Sequence, residues 1–174
     1  TLAPLSFAQE RLLFIERLEQ GTDAYHLPTL LQLNDDIDLG ILSKAINHVI
    51  ERHHVLRTLF VPDENGVDYQ TVIDTPNIIE KITVNDDKDI ESEVKLRIEK
   101  PFNFSIECPL RVTMIEQEAQ QYLLFVFHHI AVDGWSTDVF LSEMIASYQA
   151  FQKGTKPKLP ALQIQYADYA AWQK

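Results

Sequence analysis

The spacing of apolar residues changes several times along the chain, and each change marks an element. Tyr122-Leu123-Leu124-Phe125-Val126-Phe127 is a short, aromatic-rich apolar run that predicts a buried strand. Leu110 to Glu116 predicts its hairpin partner, joined around Gln117 to Gln121. Thr29 to Leu33, Asp68 to Ile73 and Ile82 to Val84 read as further strands. Helical periods lie between them. Ser6 followed by Gln9 forms a capping box, after which Arg11, Phe14, Ile15 and Leu18 recur at helical spacing as far as Gly21. Asp38 caps a helix whose buried stripe is Leu42, Ala45, Ile46, Val49 and Ile50. Ile90 to Lys100 predicts another helix, with the acidic start that the helix dipole favours. Ser136-Thr137-Asp138 is an N-cap group ahead of the stretch Val139 to Phe151, in which Phe140, Met144, Ile145, Tyr148 and Phe151 form the core-facing stripe and Gly154 ends the helix. Lys153 to Pro160 has the composition of a connector.

The chemistry collects where the apolar strand gives way to the last of these helices. The junction reads Phe127-His128-His129-Ile130-Ala131-Val132-Asp133-Gly134-Trp135-Ser136. Neighbouring side chains on a strand point to opposite faces, so if the strand persists that far His128 and His129 cannot share one cavity and should have different roles. Imidazole is the side chain whose ordinary pKa, about 6.5, lets it take a proton near neutrality. Asp133 could orient a ring, or it could lock the turn through an arginine. Gly134 would let backbone approach a ligand with no Cβ in the way. Arg57, with Arg52 as second choice, is the expected partner of Asp133, because a guanidinium holds a carboxylate through two parallel hydrogen bonds. Arg11 lies in phase with the apolar face of its helix. It either snorkels over the core edge or turns inward to brace a buried polar group.

Composition narrows the class. A chain of 174 residues suits one domain with a sizeable core. A formal charge of -11 leaves no basic stripe for nucleic acid. No apolar run approaches the ~20 residues that span a bilayer. The start, Thr1-Leu2-Ala3-Pro4, has neither an initiator methionine nor a signal sequence, and reads as a segment cut from a longer chain. The single Cys108 excludes an internal disulfide framework, fits a reducing cytoplasm, and reads as a buried thiol. No cysteine pair or helical pair of histidines suggests a metal.

Four motifs, in order, carry a resemblance. His128-His129-x-x-x-Asp133-Gly134 resembles the signature of the condensation domains of nonribosomal peptide synthetases. Ser6-x-Ala8-Gln9-x-Arg11-Leu12 resembles their opening motif, with Leu13 where tryptophan is frequent. Arg52-His53-x-Val55-Leu56-Arg57-Thr58-x-Phe60 resembles the second motif, with His54 in place of the usual glutamate. Tyr166-x-Asp168-Tyr169-Ala170-x-Trp172 resembles a later one. The short His-x-x-x-Asp-Gly form is shared with chloramphenicol acetyltransferase, but the other three motifs are not.

The resemblance implies an α/β fold, an α+β two-layer sandwich like one chloramphenicol acetyltransferase lobe, with a mixed, mostly antiparallel sheet covered by helices. Residues 1–174 would be the N-terminal lobe alone, with 153–174 a connector and terminal helix leading toward a second, C-terminal lobe. The implied reaction is amide formation between thioesters on upstream and downstream peptidyl carrier proteins, with their phosphopantetheine arms as tethers and no tightly bound cofactor. Gly134-Trp135-Ser136 resembles the subclass that joins an L donor to an L acceptor. His129 would be the reacting imidazole, acting as general base or as a positioning group. The Gly134 N–H would face the oxyanion, while His128, Asp133, Arg57, Arg52 and Arg11 would support the site. Two other classes remain open: a stand-alone coenzyme A-dependent acetyltransferase with a site shared between protomers, and a noncatalytic carrier-docking module.

Overall fold

The structure is a computed structural model that describes residues 2–19, 23–74, 78–131 and 137–160. Gly21, residues 132–136 and residues 161–174 lie outside the described residues.

A four-stranded sheet forms the centre. Its strands are β2 (His26–Leu33), β5 (Ile79–Thr83), β6 (Leu110–Gln117) and β7 (Gln120–His128), in the order β2-β7-β6-β5. β7 pairs antiparallel with both β2 and β6, whereas β5 and β6 run parallel. A smaller sheet of order β1-β4-β3 is built from β1 (Leu2–Pro4), β3 (Thr58–Pro62) and β4 (Asp68–Val72). The helices are α1 (Phe7–Leu18), α2 (Leu39–Arg52), α3 (Ile90–Glu99) and α4 (Thr137–Gln152). The mixed, mostly antiparallel sheet with helices on it is the architecture expected from the sequence.

β7 is buried on both faces, which explains why its apolar run has no alternation. Leu123, Phe125 and Phe127 face one core, packed with Ile46, Val49 and Ile50 of α2 and with Phe140 and Met144 of α4. Leu124 and Val126 face the other, with Leu12 and Leu13 of α1, Val94 of α3, Phe60 of β3 and the loop residues Phe102 and Phe104. His128, two residues past Val126, falls in phase with this second core. Pro28 sits within β2, which among the described residues pairs only with β7, so its missing N–H is tolerated on an edge strand.

Local chemistry sets the element ends. The Ser6 Oγ accepts from the Gln9 N–H at 3.1 Å and the Gln9 Oε1 accepts from the Ser6 N–H at 2.9 Å, completing the capping box. Asp38 Oδ1 caps α2 at the Ile41 N–H, 3.0 Å away. α2 unwinds into a 3-10 turn at His54–Arg57 before β3, as the change of period there suggests. The loop after β3 turns on Gly66 at φ +77°, and Gly154 at φ +73° ends the α4 region.

Two stripes differ from expectation. On α1 the buried residues are Gln9, Leu12, Leu13 and Glu16, while Phe14 and Leu18 are 64% and 70% exposed and Arg11 is exposed with them. Hydrophobicity picks the wrong face because two polar residues are buried with partners of their own. Gln9 accepts from Gln70 Nε2 at 3.0 Å as well as capping the helix. Glu16 belongs to the site described below. On α4, Ile145 is exposed, and Glu143 and Ser147 are buried in its stead beside Phe140 and Met144.

Candidate active site

β7 delivers the histidine pair, and the end of the strand separates the two rings. His128 is the last strand residue, opposite His26 in the β2 register, and is 0% exposed. The chain then turns through residues 129–131, and His129 is exposed. His128 N–H donates to the Pro109 carbonyl at 2.9 Å, His129 N–H to the Tyr25 carbonyl at 2.9 Å, and Ala131 N–H to the His128 carbonyl at 3.0 Å. The base of the turn is thus tied to Tyr25, just ahead of β2, and to the loop before β6.

The His128 ring lies among aromatic groups. Phe104 is 4.7 Å away between centroids, Phe102 is 5.5 Å away and His26 is 5.6 Å away, all edge-on. Burial in this cage, with the neighbouring His26, His129 and Arg111 acting in the same direction, pushes its pKa down to about 3. The ring is therefore neutral at physiological pH. Its Nδ1 accepts the Ile130 N–H at 3.0 Å, and its Nε2 lies 2.6 Å from Glu16 Oε1. With Nδ1 an acceptor, Nε2 must be the donor. The contact with Glu16 is a hydrogen bond from a neutral imidazole rather than an ion pair. Burial raises the Glu16 carboxyl above its ordinary value.

Arg111 of β6 fixes the loop that makes the cage. Its guanidinium donates to Glu107 Oε1 at 2.5 Å and to the carbonyls of Lys100 and Pro101 at 2.6 Å each, and it lies 3.9 Å from the centroid of the Phe102 ring.

The three arginines expected as supports are engaged differently. Arg57 donates through Nη1 to the Ile73 carbonyl at 2.6 Å, and to the Glu51 carbonyl at 3.3 Å from Nε and 3.2 Å from Nη2. It clamps the end of α2 to the end of β4. Arg52 Nε donates to Glu143 Oε1 at 2.9 Å, and Arg52 also bonds the Pro160 carbonyl. His53 Nε2 lies 2.8 Å from the same Glu143 oxygen, so α2 and α4 are joined by a largely buried triad. Asp133 and Gly134 lie outside the described residues, and so does the expected arginine–aspartate pairing. Arg11 is on the exposed side of α1.

Sequence reasoning misses Glu16, Glu143 and His26. Glu16 and Glu143 each sit at an ordinary helical position, and only the tertiary fold brings them to histidines 112 and 90 residues away in sequence. Cys108, expected to be a buried thiol, is buried, and burial with Glu107 nearby pushes its pKa up to about 11.

A strand ending in a buried histidine and an exposed one, in a sheet covered on both faces, is a specific arrangement. The family model described as "Condensation domain" matches residues 1–174.

The chain belongs to the condensation domain family.

Among curated relatives of this condensation-domain chain, a linear gramicidin synthase polypeptide of Brevibacillus parabrevis is 38% identical over 98% of the chain. The dimodular nonribosomal peptide synthase of Bacillus subtilis (strain 168) is 33% identical over 98% of it. The chain spans only 2% and 7% of the lengths of those two relatives. Among solved structures, the complex of the X-domain and OxyB from teicoplanin biosynthesis matches 98% of the chain and 37% of its counterpart, with TM-score 0.86 and 29% identity. The first condensation domain of the calcium-dependent antibiotic synthetase matches 99% of the chain and 42% of its own, with TM-score 0.79; at 19% identity it supports the fold alone.

Proposed function

We propose that this chain is the histidine-bearing, N-terminal lobe of an amide-forming condensation domain in a nonribosomal peptide synthetase. The observation that carries this is the division of labour at the end of β7: His128 is sealed and neutral, while His129 stands exposed one residue further on. The amine of an aminoacyl thioester on a downstream carrier attacks the carbonyl of an upstream carrier's thioester. The C–N bond forms, the C–S bond breaks, and the phosphopantetheine thiol leaves with a proton. His129 is within the reach of a turn side chain to take the amine's proton or to hold the amine in line. The Gly134 N–H, three residues before the start of α4, donates to the developing oxyanion. Asp133 pairs with Arg57 or Arg52 and holds the turn. Donor and acceptor are both L-configured, and a C-terminal lobe closes the channel. The phosphopantetheine arms of the carriers tether both substrates, and no tightly bound cofactor is called for.

The test uses the complete domain with donor and acceptor thioesters loaded on separate carrier proteins, and mass spectrometry of the acceptor carrier. An acceptor heavier by the donor acyl group supports the proposal. Acyl transfer only from free coenzyme A would favour the acetyltransferase reading. A docking role is the second reading, favoured by the 29% identity and TM-score 0.86 to an X-domain solved in complex with OxyB. It predicts partner binding with no amide product.

A further inference from the structure

Three buried polar groups meet beneath the turn that carries His129. Glu16 from α1, His26 from β2 and His128 from β7 each offer a ligand atom, and those atoms lie within 4.8 Å of one another. Such spacing would admit a metal ion. The hydrogen bonds argue against one. His128 Nδ1 already accepts the Ile130 N–H at 3.0 Å, so the ring proton sits on Nε2, where a metal would need a lone pair. That N–H points at Glu16 Oε1, 2.6 Å away.

A carboxylate buried in a helix face costs desolvation, and here it has one polar partner among the described residues. What it secures is a tautomer. With the proton held on Nε2, Nδ1 remains the acceptor that fixes the Ile130 amide, directly after His129. With the proton on Nδ1, two N–H donors would face each other across 3.0 Å and the turn would open.

We propose that Glu16 is a positioning residue for condensation: by accepting the His128 Nε2–H it sets the tautomer that holds the Ile130 amide, and through it the direction in which His129 projects. The catalytic half of this rests on His129 being the reacting imidazole; the tautomer half does not. His26 completes the arrangement from the other side. Its Nδ1 lies 2.6 Å from the Ile98 carbonyl, which requires the proton there, and its Nε2 has no partner among the described residues. His26 Nε2 therefore makes no hydrogen bond to Glu16, and His128 is the ring that does.

Nitrogen-15 NMR of the histidine-labelled complete domain reads the tautomer directly at neutral pH. The His128 ring is expected as Nε2–H, unchanged by added zinc. An Nδ1–H ring, a doubly protonated ring, or a zinc-dependent shift of the His128 signals would overturn the proposal with no substitution needed. Two variants then test the consequence. Glu16→Gln keeps a carbonyl acceptor and should retain the tautomer and the condensation rate. Glu16→Leu removes the acceptor and should mix the tautomers and lower kcat about 100-fold with KM for the acceptor thioester little changed, the scale of a misplaced reacting group. A Glu16→Leu domain that keeps both tautomer and rate, or a Glu16→Gln domain as impaired as Glu16→Leu, contradicts the positioning role. If His129→Ala is harmless while the tautomer responds as expected, the functional reading fails and the tautomer assignment stands.

Discussion

Acid should destabilise this fold through one buried ring. His128 is neutral and caged in the native state with a pKa of about 3, but recovers an ordinary value near 6.5 when the chain unfolds. Its folded pKa is depressed, so between about pH 6.5 and 3 the unfolded state binds the extra proton. The stabilisation is therefore present above 6.5 and lost as the pH falls toward 3. Linkage gives a loss of about 2 kcal/mol between pH 7 and pH 5 from this group, within a ceiling of about 5 kcal/mol over the whole window. Glu16 works the other way. Its raised pKa means that the native state takes a proton more readily than the unfolded chain, so its protonation favours folding as the pH falls. The assay is urea unfolding at half-unit steps from pH 7 to 5, for the wild type and for His128→Gln, which keeps Glu16 and an N–H donor toward it. The wild type should lose about 2 kcal/mol more than the variant across that range. Equal slopes for the two proteins would refute the buried, neutral assignment of His128.

Other consequences can be checked on the same footing. Glu143→Ala leaves the Arg52 guanidinium and the His53 ring without their shared acceptor between α2 and α4, and should cost about 2–3 kcal/mol in urea unfolding. Cys108 at a pKa of about 11, against 9.0 for an ordinary thiol, should react with a thiol reagent at pH 8 about 100-fold more slowly in the native protein than in denaturant, before any shielding by burial is counted.

How legible the chain is depends on whether a signal is local. The capping box at Ser6 and Gln9, the α2 stripe, the β6–β7 hairpin and the αL glycine after α4 can be read from the sequence because each is decided within a few residues. The opposite fates of His128 and His129 follow from strand alternation and the end of β7. The α1 face misleads because its inner side carries Gln9 and Glu16 and its outer side carries Phe14 and Leu18. A buried polar residue is marked only by its partner, and here the partners are Gln70 and His128, far along the chain. The Glu143 hub is illegible for the same reason. Motif order points to the family because a family signature records tertiary constraints that periodicity does not.

The most direct test of the account is His129→Ala in the complete domain, with amide formation between carrier-bound thioesters and the urea midpoint measured on the same preparation. His129 is exposed, so the midpoint should stay near that of the wild type, while amide formation falls ~10²–10⁴-fold, the range for a lost acid–base group. Amide formation at close to the wild-type rate by a folded His129→Ala domain would contradict it.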